Sequence, residues 1–514
     1  MPRTHATVLR VLLLVGLVLP CGLLADPPKD EKKEEEKPSI TEHAVTIGGQ
    51  SVKYRVTAGL SPLMDDRLKT KARVFSVTYE RLAEGDEKDK DGKPLTLAAK
   101  EPGKRPITFA FNGGPGSSSV WLHLGALGPR RVGLGKEGEG TSSPALSDNP
   151  DAWLDFTDLV FIDPVSTGYS RSVEGEDPHQ FHGLDEDIRW VAEFIRLHLV
   201  RNQRWLSPKY LAGESYGTTR AAGLSNDLQN RLGINLAGIV LVSPVLNFQT
   251  LGFDTGNDLP YWLYLPSYTA TAFYHKRLPG PLNEDLAKAI EQSRAWAQGD
   301  YLLALAKGDA LTPEERDRTA QQLAAFTGLS VEYVKRANLR VPQWAFCKEL
   351  LRDRAQTVGR FDSRYTGVDR DLNGVSTEHD PSYDVVQGPY TAGLNAYVRS
   401  ELKFESDLNY EVLTGAVHPW NFGSARNRYA DVTESLRSAM MENRSLRVLV
   451  ASGYYDLATP CSAVTYTMDH MGLDRRTRVN ITQTFYHAGH MMYLREEDLH
   501  KLREDAAAFY ASPR

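Results

Sequence analysis

Hydrophobic and polar positions alternate over residues 44–47 and again over 52–56, with Gly48-Gly49 between them. A period of two interrupted by paired glycines predicts a β-hairpin, and a further strand is predicted over 73–82. Short apolar runs that read as buried strands follow at 106–111, 159–162, 210–212, 237–242, 447–453 and 479–485. Between them the period changes. Ile188, Val191, Ala192, Ile195 and Leu199 share one face of a helix predicted over 185–200, and a second helix is predicted over 218–228. Strands alternating with helices predict an α/β fold whose central sheet is mostly parallel and covered on both faces.

Past Asn247 this rhythm breaks. Residues 257–274 are rich in aromatics and prolines, 282–307 are helical in period, and Thr312-Pro313-Glu314-Glu315 reads as a capping box opening a helix that stops near Gly328. Shorter helices are predicted over 331–337 and 341–353, and the stretch as far as Asn395 carries no assignable pattern. Residues 251–410 therefore read as a helical cap inserted between two parts of one core, 43–250 and 411–514.

The 514 residues, 41% hydrophobic and 25% charged, suffice for a large core, and a net charge of −6 offers no basic footprint for nucleic acid. Arg3, His5 and Arg10 precede an apolar run over 11–19 and then Cys21-Gly22-Leu23-Leu24-Ala25, which predicts a signal peptide over 1–25 cleaved after about Ala25. An uncleaved anchor and lipidation at Cys21 are the alternatives. Residues 26–42 are expected to form a charged, solvated linker, and no later segment is apolar enough to span a bilayer. The expected protein is exported, periplasmic or secreted, without stable membrane insertion once the signal is removed. Cys347 and Cys461 would then remain and could form one bridge, but nothing is spaced like a zinc site. Residues 84–93 and 369–373 have aspartate spacing faintly like a calcium loop; with Asp380 at the twelfth position of the second, both read as solvated loops.

The candidate chemistry centres on Gly213-Glu214-Ser215-Tyr216-Gly217, a G-x-S-x-G pattern between a predicted strand and a predicted helix. A serine hydroxyl becomes a useful nucleophile when a sharp turn holds it clear of the backbone, near a base and beside free N–H groups. Asn112-Gly113-Gly114-Pro115-Gly116-Ser117-Ser118-Ser119 follows the strand 106–111. It lacks the lysine of a phosphate-binding loop and suits an oxyanion loop, with Gly114 N–H and Tyr216 N–H as the donors.

These blocks, together with Asn149-Pro150-x-x-Trp153 and Asp163-Pro164-Val165-Ser166-Thr167-Gly168-Tyr169-Ser170, resemble the serine carboxypeptidase family, a branch of the α/β-hydrolases. The resemblance implies an α/β-hydrolase fold, here in an exported member of bacterial type. Asp456 lies just past the strand 447–453, where this fold presents its acid, and His490 stands in a Gly-His-Met block like the family's. His490 is preferred to its neighbour His487, since Ser215, Asp456 and His490 reproduce the fold's chain order. The resemblance further implies that Asn112 and Glu214 receive the free carboxylate of a peptide, with no cofactor. A glutamate facing a carboxylate must share a proton with it, so an acidic optimum is expected. The chain departs from the family pattern at Ser117, where a cysteine is usual, and at Gly453-Tyr454-Tyr455-Asp456, where the family tends to have Gly-Asp-x-Asp. Esterase or acyl-transfer chemistry on the same triad, and a non-catalytic binding protein on the same scaffold, are the competing readings.

Overall fold

The hairpin extends well beyond its alternating centre. Strands β1 (Ser39–Ile47) and β2 (Gln50–Met64) pair antiparallel from Ser39↔Ala58 to Ile47↔Gln50, and Gly48 and Gly49 supply the positive φ values of the turn. The computed structural model describes residues 37–85, 88, 92–135 and 144–512. The predicted signal peptide, the linker as far as residue 36 and half of the 84–93 loop lie outside the described residues, and β1 begins within the stretch read as linker.

Further strands are β3 (Thr70–Arg81), β4 (Ile107–Phe111), β5 (Asp158–Ile162), β6 (Lys209–Glu214), β7 (Gly238–Val242), β8 (Arg447–Gly453) and β9 (Ile481–Tyr486). They form a 10-stranded sheet in the order β1-β2-β3-β5-β4-β6-β7-β8-β9, with the short strand Arg171–Ser172 beside β3. From β5 to β9 every neighbouring pair is parallel. Such strands are buried on both faces. Val240 and Val242 pack with one hydrophobic cluster while Ile239 and Leu241 pack with another on the opposite side.

Helices α1 (Leu184–Arg201) and α2 (Tyr216–Leu232) cover the second face through Val191, Ile195, Leu224 and Leu228. The inserted region begins with α3 (Leu259–Tyr274), includes α4 (Pro313–Thr327) and ends with α5 (Pro381–Ser400); the chain closes with α6 (Glu496–Ala511). Leu499, Leu502 and Phe509 of α6 and Val386, Tyr390 and Leu394 of α5 pack on the first face. Thr312 and Glu315 form the predicted reciprocal capping box, with Gly328 in the left-handed conformation at the other end.

Two helices escaped the sequence pattern for physical reasons. Pro266 and Pro389 lie inside α3 and α5, where proline removes a backbone donor. Nearly the whole circumference of α3 from Trp262 to Ala272 is buried, so no polar stripe marks it as a helix. Cys347 and Cys461 are separate buried thiols rather than a bridge. The 369–373 loop is also not simply solvated: Asp369 is buried, with the Lys348 ammonium between its carboxylate and the Asp371 carbonyl.

The remaining sequence blocks tie strand ends together. Asn149 Nδ2 donates to the carbonyls of Ala126 and Gly128, each at 2.9 Å, closing the helical segment after the glycine loop, and Trp153 is fully buried. Asp163 Oδ1 accepts the Ser119 N–H at 2.9 Å, linking the end of β5 to that same segment. Gly168, at φ +50, leaves room where any Cβ would collide with the Asp163 carboxylate.

Burial pushes the Asp163 carboxyl up to about 7, against the Ser119 hydrogen bond that favours the ionised form. An unfolded aspartate ionises near pH ~4. The folded chain therefore holds a proton that the unfolded chain has lost, and this stabilising contribution fades as pH rises toward about 7. Asp163→Asn, always neutral, is expected to gain in Tm relative to the parent as pH rises from about 5 to about 8; parallel melting curves across that range test this.

Candidate active site

Strand register brings the sequence blocks to one level. Phe111 pairs with Gly213, Glu214 with Val242, and Val242 with Ala451, so the glycine loop, the elbow and the β8 loop leave the sheet together at its carboxyl edge. Ser215 stands between β6 and α2 at φ 59, ψ −129. Its N–H donates to Val242 O at 3.0 Å, and its carbonyl accepts the Thr218 N–H at 2.8 Å and the Thr218 hydroxyl at 2.6 Å. Glycine is required on both sides: a Cβ on Gly213 would collide with Gly217 O, and one on Gly217 would lie 2.7 Å from Phe111 O.

The elbow and the glycine loop touch through backbone. A Cβ on Gly113 would collide with Tyr216 N and lie 2.8 Å from Glu214 O. Tyr216 is the first residue of α2, where an N–H has no partner within its helix. Gly114 follows at φ +101, and a Cβ there would lie 2.7 Å from Gly116 N. The loop is anchored beneath by Arg220, which donates to Asn112 O and to Asp187 Oδ2, both at 2.7 Å and fully inside the protein. Ser117, at the usual cysteine position, accepts the Trp121 indole N–H at 3.0 Å and donates to Ser118 O.

Asp456 and His490 meet above β8 and β9. Asp456 Oδ1 accepts the N–H groups of Ala458 at 2.7 Å and Thr459 at 2.9 Å, while Oδ2 lies 2.8 Å from His490 Nδ1 and 2.7 Å from the Thr459 hydroxyl. Burial works to raise the Asp456 carboxyl, but the charge of His490 and these hydrogen bonds outweigh it and hold it low. Burial likewise disfavours the His490 imidazolium, and Asp456 more than reverses this, raising its pKa. Nδ1–H thus points at a carboxylate, leaving Nε2 buried and without a hydrogen-bond partner. His487 is exposed beside Tyr454 and does not line the cleft.

Ser215, His490, Glu214, Asn112 and Gly114 line one cleft of about 510 Å³. Glu214 is buried, accepts the Tyr493 hydroxyl at 2.7 Å, and is pushed up to about 7 by burial, which outweighs the nearby positive charge of His490. Asn112 Oδ1 accepts the Leu122 N–H at 3.0 Å, but its buried Nδ2 makes no hydrogen bond. The cleft therefore holds a serine on a strained turn, an imidazole oriented by a carboxylate, adjacent backbone donors, a largely protonated glutamic acid and an uncommitted amide donor. Such a set can support acyl transfer through a tetrahedral oxyanion. Among the described residues no group of His, Cys, Asp and Glu side chains is arranged to hold a metal ion.

Residues 360–364, in the stretch without an assignable pattern, complete the site. Phe361 stacks on the His490 ring at 5.0 Å between centroids, and its carbonyl accepts the His490 N–H at 2.6 Å. Asp362 Oδ2 accepts the Gly489 N–H at 3.0 Å and the Arg364 guanidinium at 2.7 Å, while Arg360 O accepts the Leu457 N–H at 3.0 Å. One short segment thus holds both the Asp456 and the His490 loops. No local motif announces it, because its contacts to the Asp456 and His490 loops are all long-range.

The family profile for serine carboxypeptidase matches residues 95–502. Over 159 residues the chain is 30% identical to serine carboxypeptidase-like 19 of Arabidopsis thaliana, covering 28% of this chain and 32% of that one. Over 136 residues it is 34% identical to the pheromone-processing carboxypeptidase KEX1 of Puccinia graminis f. sp. tritici, covering 25% and 19%. The chain thus spans about a third or less of the length of these curated relatives. They come from a plant and a fungus and lend no support to the expected bacterial type. The crystal structure of Kex1Δp, a prohormone-processing carboxypeptidase from Saccharomyces cerevisiae, superposes with a TM-score of 0.53 at 16% identity, over 88% of this chain and 91% of that one. That likeness establishes the α/β-hydrolase fold, as expected. Since the family match extends from the segment before β4 into α6, well over half of its length, this chain belongs to the serine carboxypeptidase family.

Proposed function

We propose that the chain removes single residues from the free C-terminus of peptides, with Ser215, His490 and Asp456 as its triad. The observation that carries this reading is the pair Asn112 and Glu214 beside the elbow, one with an unused buried amide donor and the other holding a proton to about pH 7. A substrate carboxylate can accept from both with its two oxygens, whereas an ester or internal peptide bond places no anion between them. His490 Nε2 takes the Ser215 proton as Oγ attacks the carbonyl carbon of the last peptide bond. The N–H groups of Gly114 and Tyr216 receive the tetrahedral oxygen, and Asp456 stabilises the imidazolium. His490 returns the proton to the departing amine; water, deprotonated by the same imidazole, then cleaves the acyl-enzyme. The inserted region 251–410 acts as a cap and contributes Arg360, Phe361 and Tyr383 to the cleft wall. The apolar run over 11–19 supports export, with cleavage after about Ala25. Among the described residues no helix is long and apolar enough to cross a membrane.

Mass spectrometry of a peptide mixture is expected to show residues lost one at a time from C-termini, and Ser215→Ala to abolish both this and labelling by a fluorophosphonate. An N-blocked dipeptide should be cleaved at least about 10²-fold faster than its C-terminal amide, since the amide leaves the carboxylate donors unmatched. Equal rates would assign the triad to esterase or acyl-transfer chemistry instead.

The pH profile carries a second signature. Ionisation of Glu214 near about 7 places a negative charge against the substrate carboxylate, so kcat/KM should fall as pH rises through that value. The negative charge of Glu214 also helps to raise His490. Glu214→Gln is therefore expected to remove the alkaline decline, read from kcat/KM between about pH 4 and 9.

A further inference from the structure

We propose that Arg360 selects peptides whose terminal residue carries an acidic side chain, a specificity that rests on the carboxypeptidase reading and deepens it. Among the residues lining the cleft Arg360 is the only lysine or arginine, and its side chain is exposed. Its guanidinium lies 5.1 Å from the Phe361 ring centroid and forms no ion pair among the described residues. Neither Asp380 nor Glu214 forms an ion pair with it. Asp380 is occupied by the N–H groups of Arg360, Phe361 and Ser382 and by the Ser382 hydroxyl at the start of α5. Glu214 is bound to Tyr493 and stays protonated up to about pH 7. The cleft thus presents one guanidinium without an ion-pair partner among the described residues.

Its backbone is fixed although its side chain is free. The Arg360 N–H donates to Asp380 Oδ1 at 3.1 Å and its carbonyl accepts from Leu457, so the guanidinium extends from an anchored point beside the triad. Its location also indicates which substrate residue it meets. His490 delivers a proton to the departing amine, so the residue being released lies on the imidazole side of the scissile bond. Phe361 covers that imidazole, and Tyr383 stands 6.1 Å from both the Phe361 and the Trp121 ring centroids, continuing the wall back to the glycine loop and Asn112. A terminal side chain extending along this aromatic wall brings a carboxylate at its end to the guanidinium, whose planar fork suits bidentate pairing. Glutamate or aspartate gains from this, while a lysine is repelled. The positive charge of Arg360 already disfavours the His490 imidazolium, consistent with its closeness to the reacting centre.

The test compares N-blocked dipeptides that differ only in ending with Glu, Gln, Leu or Lys, with rates normalised to active sites titrated by fluorophosphonate. The parent enzyme at low ionic strength is expected to favour Glu over Gln by about fivefold in kcat/KM, a preference that shrinks with added salt. Arg360→Gln should bring the Glu-to-Gln ratio to parity, a ratio in which any change at His490 common to all substrates cancels, and Arg360→Glu should shift preference toward the Lys-ending one. An unchanged Glu-to-Gln ratio in Arg360→Gln overturns the proposal. An equal loss on all four substrates also overturns it, placing Arg360 on the terminal α-carboxylate instead. Cleavage of none of the four by the labelled parent enzyme overturns the carboxypeptidase reading itself.

Discussion

The turn at Ser215 is the constraint on which the rest of the site depends. A non-glycine residue at φ 59 carries a conformational cost of about 1–3 kcal/mol, and it persists because its surroundings leave no alternative. Val242 O takes its N–H, Thr218 binds its carbonyl twice, and the glycines at 113, 213 and 217 let three stretches of backbone pack closer than any Cβ permits. The reward is a hydroxyl at the open edge of the sheet and a helix whose first N–H faces the glycine loop. Substrate oxygen and nucleophile are thereby assigned neighbouring positions before any substrate arrives.

Two buried carboxyl groups near that turn behave oppositely, and their surroundings explain why. Asp456 is surrounded by two backbone N–H groups, a threonine hydroxyl and an imidazole, enough to stabilise a full negative charge inside the protein. Glu214 has the charge of His490, a tyrosine hydroxyl and the weaker pull of the Asn112 side chain, which burial outweighs, so its carboxyl is pushed up to about 7. In the proposed mechanism one carboxylate orients the base while the other acts as an acid toward the substrate anion, a division of labour set by hydrogen bonding and desolvation.

The inserted region is joined to the chemistry through a few residues. Most of its apolar side chains form a cluster of their own around α3 and α4, yet residues 360–364 run beneath the His490 loop and beside the Asp456 loop. Phe361 stacks on the His490 ring and its carbonyl accepts the His490 backbone N–H, and Asp362 holds the Gly489 N–H, so the part of the chain that lines the cleft wall also holds the His490 loop in place. Changes in the insertion can therefore alter specificity and turnover together.

Much of this was determined by local sequence. Apolar runs of strand length, a helix with Ile188, Val191 and Ile195 on one face, a capping box at Thr312 and a serine between spaced glycines are patterns that short-range sterics and burial impose, so they can be read without coordinates. The resemblance of five blocks supplied the partners of Ser215. Tertiary structure alone decided the remainder. The helical state of 259–274 comes from burial on all sides that overrides the internal Pro266, and the separation of Cys347 from Cys461 comes from packing. The same holds for the Lys348 ammonium filling the aspartate loop, and for the placing of Arg360 on the wall of the cleft that holds His490. Each of these depends on which distant groups share a space, and no window of neighbouring residues contains that information.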